Sequence, residues 1–273
     1  MPARAACLVD GHVHLHDCFA VPDVLDAAAA NFAAAARRLG LPRQPTGCML
    51  LAESRGVDQF ARLADGTAAC GAWRVSPTAE PVSLLARRPG AMPIVLVAGR
   101  QIVSRERLEV LAIGTRATFA DGRPLDEALA GVRAADAVAV VPWGVGKWQG
   151  ARGRRIADLL ERGRDQPLFA GDNGGRLGLA PRPKLFARAQ RSGVPVLAGS
   201  DPLPSPDQLA KVGGYGFVAE VDLDAPAPFA ALRGYLEGLA TSPRTFGSLE
   251  SLPGFVRSQL AMQVQKRLRQ RVH

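Results

Sequence analysis

The chain lacks the spacings that mark several common kinds of site. Its four cysteines, Cys7, Cys18, Cys48 and Cys70, show no CxxC or other zinc-finger spacing and all fall in the first third. They read as free thiols in a reducing cytosol. No apolar stretch reaches membrane-spanning length, and the N-terminus lacks the charged start and long apolar core of a secretory signal. A soluble, cytoplasmic protein with no membrane partner is expected. No GxGxxG or Walker pattern follows the first strand, and neither Gly174-Gly175 nor Gly213-Gly214 supplies one, which excludes a dinucleotide or P-loop enzyme. No Pro/Ser-rich linker, long low-complexity block or internal repeat divides the 273 residues, so a single domain over 1–273 is expected.

Histidine is scarce too, four in all, but three sit together. They occur in Leu8-Val9-Asp10-Gly11-His12-Val13-His14-Leu15-His16, and the fourth is the last residue, His273. Alternate residues of a strand face one side, so His12, His14 and His16 can converge. Imidazole completed by carboxylates suits one divalent ion, Zn, Mn, Fe or Ni. The structural alternative is a polar turn in which these histidines only make hydrogen bonds and no metal is held.

The formal charge of +9 and the pI near 10.2 raise the question of nucleic acid. Arginine greatly outnumbers lysine, and the basic residues are scattered apart from two groups. One is Arg152, Arg154 and Arg155. The other is a helix expected over about 253–271, where Arg257, Lys266, Arg267, Arg269 and Arg271 alternate with Phe255, Val256, Leu260, Met262, Val264 and Leu268. Such a helix lays its apolar face on the domain and solvates its charges. This reading ranks nucleic acid well below a small-molecule substrate, anionic or phosphorylated, and leaves the oligomeric state open.

Apolar β-type runs alternate with helical patterns along the chain. Strands are expected at 6–9, 47–52, 69–75, 94–98, 108–113, 137–141, 167–170, 195–198 and 216–220, and helices at 24–39, 57–63, 125–134, 154–162, 183–192 and 229–239. The alternation predicts an α/β fold, a distorted (β/α)7-8 TIM-like barrel. Polar groups just past the strand ends converge on one mouth in such folds. Those positions hold Glu53, Gln101, Trp143, Lys147, Asp172, Asn173, Arg176 and Asp201. Lys147, between Trp143 and Trp148 in a glycine-rich loop, is a candidate for stabilising developing negative charge, or else a surface lysine over two packed rings. Asp172-Asn173 before Gly174-Gly175 also fits a plain turn, and Arg176 contacts an anion or solvates a loop.

In this order the motifs resemble the PHP (polymerase and histidinol phosphatase) family, and the first strand is also similar to that of the wider amidohydrolase barrels. Asp10-Gly11-His12-Val13-His14 resembles the family's opening His-x-His. Gly99-Arg100-Gln101-Ile102 resembles its Gly-x-Glu-Ile strand, Val141-Pro142-Trp143 takes the place of its His-Pro strand, and Gly199-Ser200-Asp201 looks like its late Gly-Ser-Asp-x-His. The family builds a cluster of up to three metals that yields a hydroxide for phosphoester hydrolysis. Here Gln101 stands for its Glu, Pro142-Trp143 for its His-Pro, and Leu203 for its last His. The resemblance therefore implies a metal-dependent hydrolase, of phosphoesterase or amidohydrolase type, with a reduced, mononuclear site. His12, His14 and Asp201 are its ligands, with His16, Glu53 or Asp172 as additions. Asp201 or Asp172 ligates or takes the proton, Lys147 meets the developing charge, and Glu53, Gln101, Trp143, Asn173 and Arg176 contact the substrate. The alternative is a catalytically degenerate barrel that binds a small ligand or a protein.

Overall fold

A computed structural model describes residues 6–41, 45–165 and 167–259. In chain order the elements are β1 (Cys7–Val13), α1 (Val21–Leu39), β2 (Gly47–Leu51), α2 (Gln59–Ala64), β3 (Arg74–Pro77), β4 (Ser83–Arg87), β5 (Ile94–Val97), β6 (Gly99–Val103), β7 (Glu109–Ile113) and α3 (Leu125–Ala134). They continue with β8 (Val138–Pro142), α4 (Gly150–Glu161), β9 (Phe169–Asn173), α5 (Lys184–Arg191), β10 (Val196–Gly199), the 3-10 segment Pro206–Lys211, β11 (Tyr215–Ala219), α6 (Pro228–Glu237) and β12 (Thr245–Gly247).

The α/β class holds, but the closed barrel does not. The strands form a seven-stranded sheet, β12-β11-β1-β2-β5-β4-β3, and a five-stranded sheet, β10-β9-β8-β7-β6. Both are mixed. β1, β2 and β5 run parallel while β11 and β4 flank them antiparallel, and β8, β9 and β10 run parallel while β7 pairs antiparallel with both β8 and β6. The pairs β3–β4, β6–β7 and β11–β12 stand where repeated β/α units would need crossover helices.

The sheets meet at two seams without a continuous ladder. At one, β1 passes β10 so closely that a Cβ on Gly11 would lie 2.6 Å from the Ala198 carbonyl oxygen, and one on Gly199 2.4 Å from the His12 nitrogen. One main-chain bond spans it past the end of β10, from Asp201 N–H to His12 C=O at 2.8 Å. At the other seam Glu53 forms an isolated bridge with Arg100. Here the chain leaves one sheet for the other between β5 and β6. A Cβ on Gly99 would stand 2.2 Å from the Leu51 carbonyl oxygen and 3.0 Å from that of Ala112, so only glycine fits the corner. Gly99→Ala is expected to lower stability by at least about 2 kcal/mol, read from the urea midpoint.

The sequence pattern misplaced some elements. The segment expected as a strand at 69–75 pairs only from Arg74, β4 and β12 have no counterpart among the expected strands, and 99–103, absent from the strands read by pattern though matched to a strand by the family resemblance, forms β6. The helices fell close to where periodicity put them. α1 buries Val24, Leu25, Ala28, Phe32 and Ala35 on one face and stops at Gly40, whose φ of 63° suits a glycine cap. A core between the sheets includes Val9, Leu50, Val97, Leu111, Val140 and Phe217, each such buried side chain contributing roughly 1.5–3 kcal/mol. No helix among the described residues is long and apolar enough to cross a membrane.

The C-terminal helix departs from expectation as far as it is described. Residues 252–259 are helical, with the Ser251 hydroxyl accepting from Gly254 N–H at 3.3 Å. Yet Leu252 and Val256 are exposed and Ser258 is buried. The remainder of the helix expected over 253–271, with Lys266, Arg267, Arg269 and Arg271, lies outside the described residues. Of the other basic group, Arg152 donates to the Gly146 carbonyl at 3.0 Å and Arg155 pairs with Asp126.

Candidate metal centre

The β1–β2 register shifts between Asp10 and Val13, a bulge that re-aims side chains at the strand end. Past it, His12 and His14 bring their Nε2 atoms to 3.0 Å. Asp201, one residue beyond Ser200 at the end of β10, lies with its Oδ1 3.6 Å from His12 Nε2 and 3.4 Å from His14 Nε2. Its φ is 47°, a left-handed conformation uncommon outside glycine that Asp tolerates better than most residues. The bond from its N–H to His12 C=O fixes it there.

Asp10 ties the two supporting strands together. This fully buried carboxylate accepts from Ser200 N–H at 2.8 Å, Gly213 N–H at 2.9 Å and His12 N–H at 3.3 Å. Burial pushes it up to about 7, against the pull of those donors.

The three ligand atoms suit one small divalent ion. A triangle with sides of 3.0, 3.4 and 3.6 Å has a circumscribed radius of about 1.9 Å, just inside the roughly 2.0–2.2 Å of zinc–nitrogen and zinc–oxygen bonds. An ion can therefore cap the triangle and keep open positions on its far side. The protonation states agree. Burial pushes His12 down to about 4 in spite of Asp201, so its imidazole is neutral. Burial alone would raise Asp201, but His12, His14 and the Lys147 ammonium outweigh it and hold the carboxyl below the usual range. A neutral imidazole and an ionised carboxylate are what a metal requires.

The surroundings sort the other candidates. Asn173 donates from Nδ2 to Asp201 Oδ2, leaving Oδ1 for the histidines, and its own Oδ1 accepts from Gly175 N–H at 2.6 Å. Lys147 pairs with Glu109, and a Cβ on Gly144 would stand 2.7 Å from its Cδ, so the lysine stem lies flat on the loop. Trp143, Lys147, Asn173 and Asp201 line one cavity of about 150 Å³ with Glu109 and Lys211. His16 turns its Nε2 to the Pro202 carbonyl at 2.8 Å and stacks on His14. Burial and the His14 charge lower its pKa. It is not among the three residues whose ligand atoms cluster.

Asp172, Arg176 and Glu53 are committed elsewhere. Asp172 accepts from Arg176 Nε and Nη2 at 2.9 and 2.8 Å and from the Tyr215 hydroxyl at 2.9 Å, all buried. Arg176 therefore holds a carboxylate of its own chain. Glu53, raised by burial, accepts from Phe60 N–H at 2.7 Å and pairs with Arg100 at 2.9 Å. Gln101 is half-buried in β6 opposite Leu111. Sequence reasoning missed Glu109, Asp10 and Lys211. The signal for the first two was a lone acid within an apolar strand, while Lys211 carried none.

No family model matches the chain, and no curated protein matches it. Solved structures do. PsfC from Pseudomonas syringae PB-5123 superposes with a TM-score of 0.61 at 14% identity, covering 95% of this chain and 99% of that one. The lesion-specific endonuclease PfuEndoQ from Pyrococcus furiosus gives 0.50 at 14% identity, covering 86% of this chain and 56% of its own. Endonuclease Q in complex with a 27-mer duplex substrate bearing an abasic lesion gives 0.48, also at 14%. The low rank given to nucleic acid is not upheld, because a structure of similar fold, PfuEndoQ, is described as a lesion-specific endonuclease. The net charge had been discounted on the scatter of its arginines, which says nothing of what the mouth of the fold receives. What these likenesses show for this chain is its fold, in agreement with the PHP-like fold that the sequence resemblance implies.

Proposed function

We propose that the chain, acting as a single domain, is a metal-dependent hydrolase with one divalent ion held by His12, His14 and Asp201. The observation that carries this reading is the triangle of two buried imidazole nitrogens and one part-buried carboxylate oxygen, sized for such an ion. When bound, the ion lowers the pKa of a water and polarises the oxygen of the scissile group. Asn173 orients the Asp201 carboxylate. Lys147, aligned by Glu109 and Gly144, meets the negative charge that develops on the substrate. Trp143 walls the cavity and limits water. Asp172 is occupied by Arg176 and Tyr215, so its role is to hold the β9 end rigid, and proton transfer does not fall to it. The likeness to PfuEndoQ supports hydrolysis and makes nucleic acid a substrate to be tested alongside small phosphoesters and amides.

The test is a panel of phosphomonoesters, phosphodiesters, amides and damaged duplexes, assayed after chelation and after reloading with Zn, Mn, Fe or Ni. Activity should vanish with chelator and return with metal. Absence of stoichiometric metal together with no hydrolysis on the panel would sink the proposal. One observation favours a second reading, a metal-free binding module: the His12 and His14 nitrogens at 3.0 Å can satisfy each other by a hydrogen bond. Given activity, Lys147→Met should lower kcat roughly 10²-fold with metal content unchanged.

A further inference from the structure

Lysine is rare here, four residues against thirty arginines, yet Lys147 and Lys211 both line the cavity beside the metal ligands. They are not equivalent. Lys147 is among the main charges acting on His12 and Asp201, and Lys211 is not. Lys211 ends the 3-10 segment and pairs with Glu250, which lies past β12. Glu250 is pinned by its main chain, its N–H donating to the Arg176 carbonyl at 3.0 Å and its C=O accepting from Gly178 N–H at 2.9 Å. A fixed backbone thus delivers a carboxylate to this ammonium.

Beside Lys211 the wall is polar and under-satisfied. Gln208 is 4% exposed and Ser258 8%, and both line the cavity. The Gln208 carboxamide donates over long distances, 3.3 Å to Asp207 and 3.4 Å to the Ser258 hydroxyl. Burying an amide and a hydroxyl with bonds at the limit of useful length is unfavourable, and an oxygen-rich ligand group would offset that cost. A volume of about 150 Å³ corresponds to roughly five waters at ~30 Å³ each, enough for a reacting group and a compact anion.

We infer that Lys211, Gln208 and Ser258 form a subsite for an oxyanion that the substrate carries away from its reacting bond, and that Glu250 is the internal anion this group displaces. The inference rests on the reading that this cavity receives the substrate. It makes Lys211 a specificity-determining residue and gives the C-terminal segment, through Glu250 and Ser258, a part in substrate choice.

Two substitutions that break the same ion pair test it. Lys211→Met removes the cation, and Glu250→Gln removes its internal competitor with almost no change of shape. The probes are inorganic phosphate, succinate and a trinucleotide, measured by calorimetry on chelator-treated protein so that no metal contributes. Lys211→Met should weaken the tightest probe at least tenfold, and Glu250→Gln should tighten it about three- to tenfold. Whichever probe shows this opposite pair of shifts identifies the oxyanion as phosphoryl, carboxylate or strand phosphate. A structural ion pair would instead lower both melting temperatures and leave binding untouched. Shifts in the same direction, unchanged affinities, or no binding by parent and Glu250→Gln alike would overturn the subsite. Opposite shifts in a protein that takes up no metal would keep the subsite and remove the metal reading.

Discussion

Asp201→Asn is expected to keep the fold and bind a divalent ion about 10³-fold more weakly than the parent, beyond the 10–100-fold that outer partners of a metal ligand typically contribute. Asparagine suits the test because it tolerates the 47° φ at this position, so backbone strain does not confound the result. What it removes is the negative charge, which neither imidazole can replace. Asn173→Ala, which releases Asp201 Oδ2 but leaves the ligand in place, should fall between the two, at about 10–100-fold. Equilibrium dialysis against zinc gives the series. Equal metal uptake by Asp201→Asn and the parent would remove Asp201 from the site.

The largest effect on stability is expected from Asp10→Ala. It strips the acceptor from three buried main-chain N–H groups, those of His12, Ser200 and Gly213. At about 1–3 kcal/mol for each unsatisfied donor, the loss should be about 3–9 kcal/mol in urea denaturation. Asp10→Asn retains one acceptor oxygen but turns an NH₂ toward a donor, so an intermediate loss is expected. The pH dependence has a definite sign. Because burial raises Asp10 to about 7 in the folded protein, the folded state holds an extra proton between about pH 4 and 7. Its contribution is therefore most favourable at the acid end and is lost as the pH rises to 7. In chelator-treated protein Asp10→Asn should abolish that slope. A loss below about 1 kcal/mol for Asp10→Ala would show that the three amides find other partners.

What could be read in the sequence follows from which signals are local. His12 and His14 were legible because strand alternation places them on one side, and Asp201 because it follows an apolar strand late in the chain. The helices were legible because their buried faces repeat at helical spacing, as in α1. The division into two sheets was not, since it hinges on Gly99, whose close approach to Leu51 and Ala112 is a long-range fact. Asp172 looked catalytic and Arg176 substrate-binding beyond a strand end, but four residues apart across a turn they close on each other. Glu109 was hidden in a run that reads as plain β-strand, and its meaning emerges only when the loop after β8 brings Lys147 to it.

The holding of one ion by His12, His14 and Asp201 can be seen by anomalous diffraction from a crystal equilibrated with zinc. The expected result is one strong peak about 2.0–2.2 Å from His12 Nε2, His14 Nε2 and Asp201 Oδ1. No peak there at saturating zinc, with the His12 and His14 nitrogens still hydrogen-bonded to each other, would contradict it.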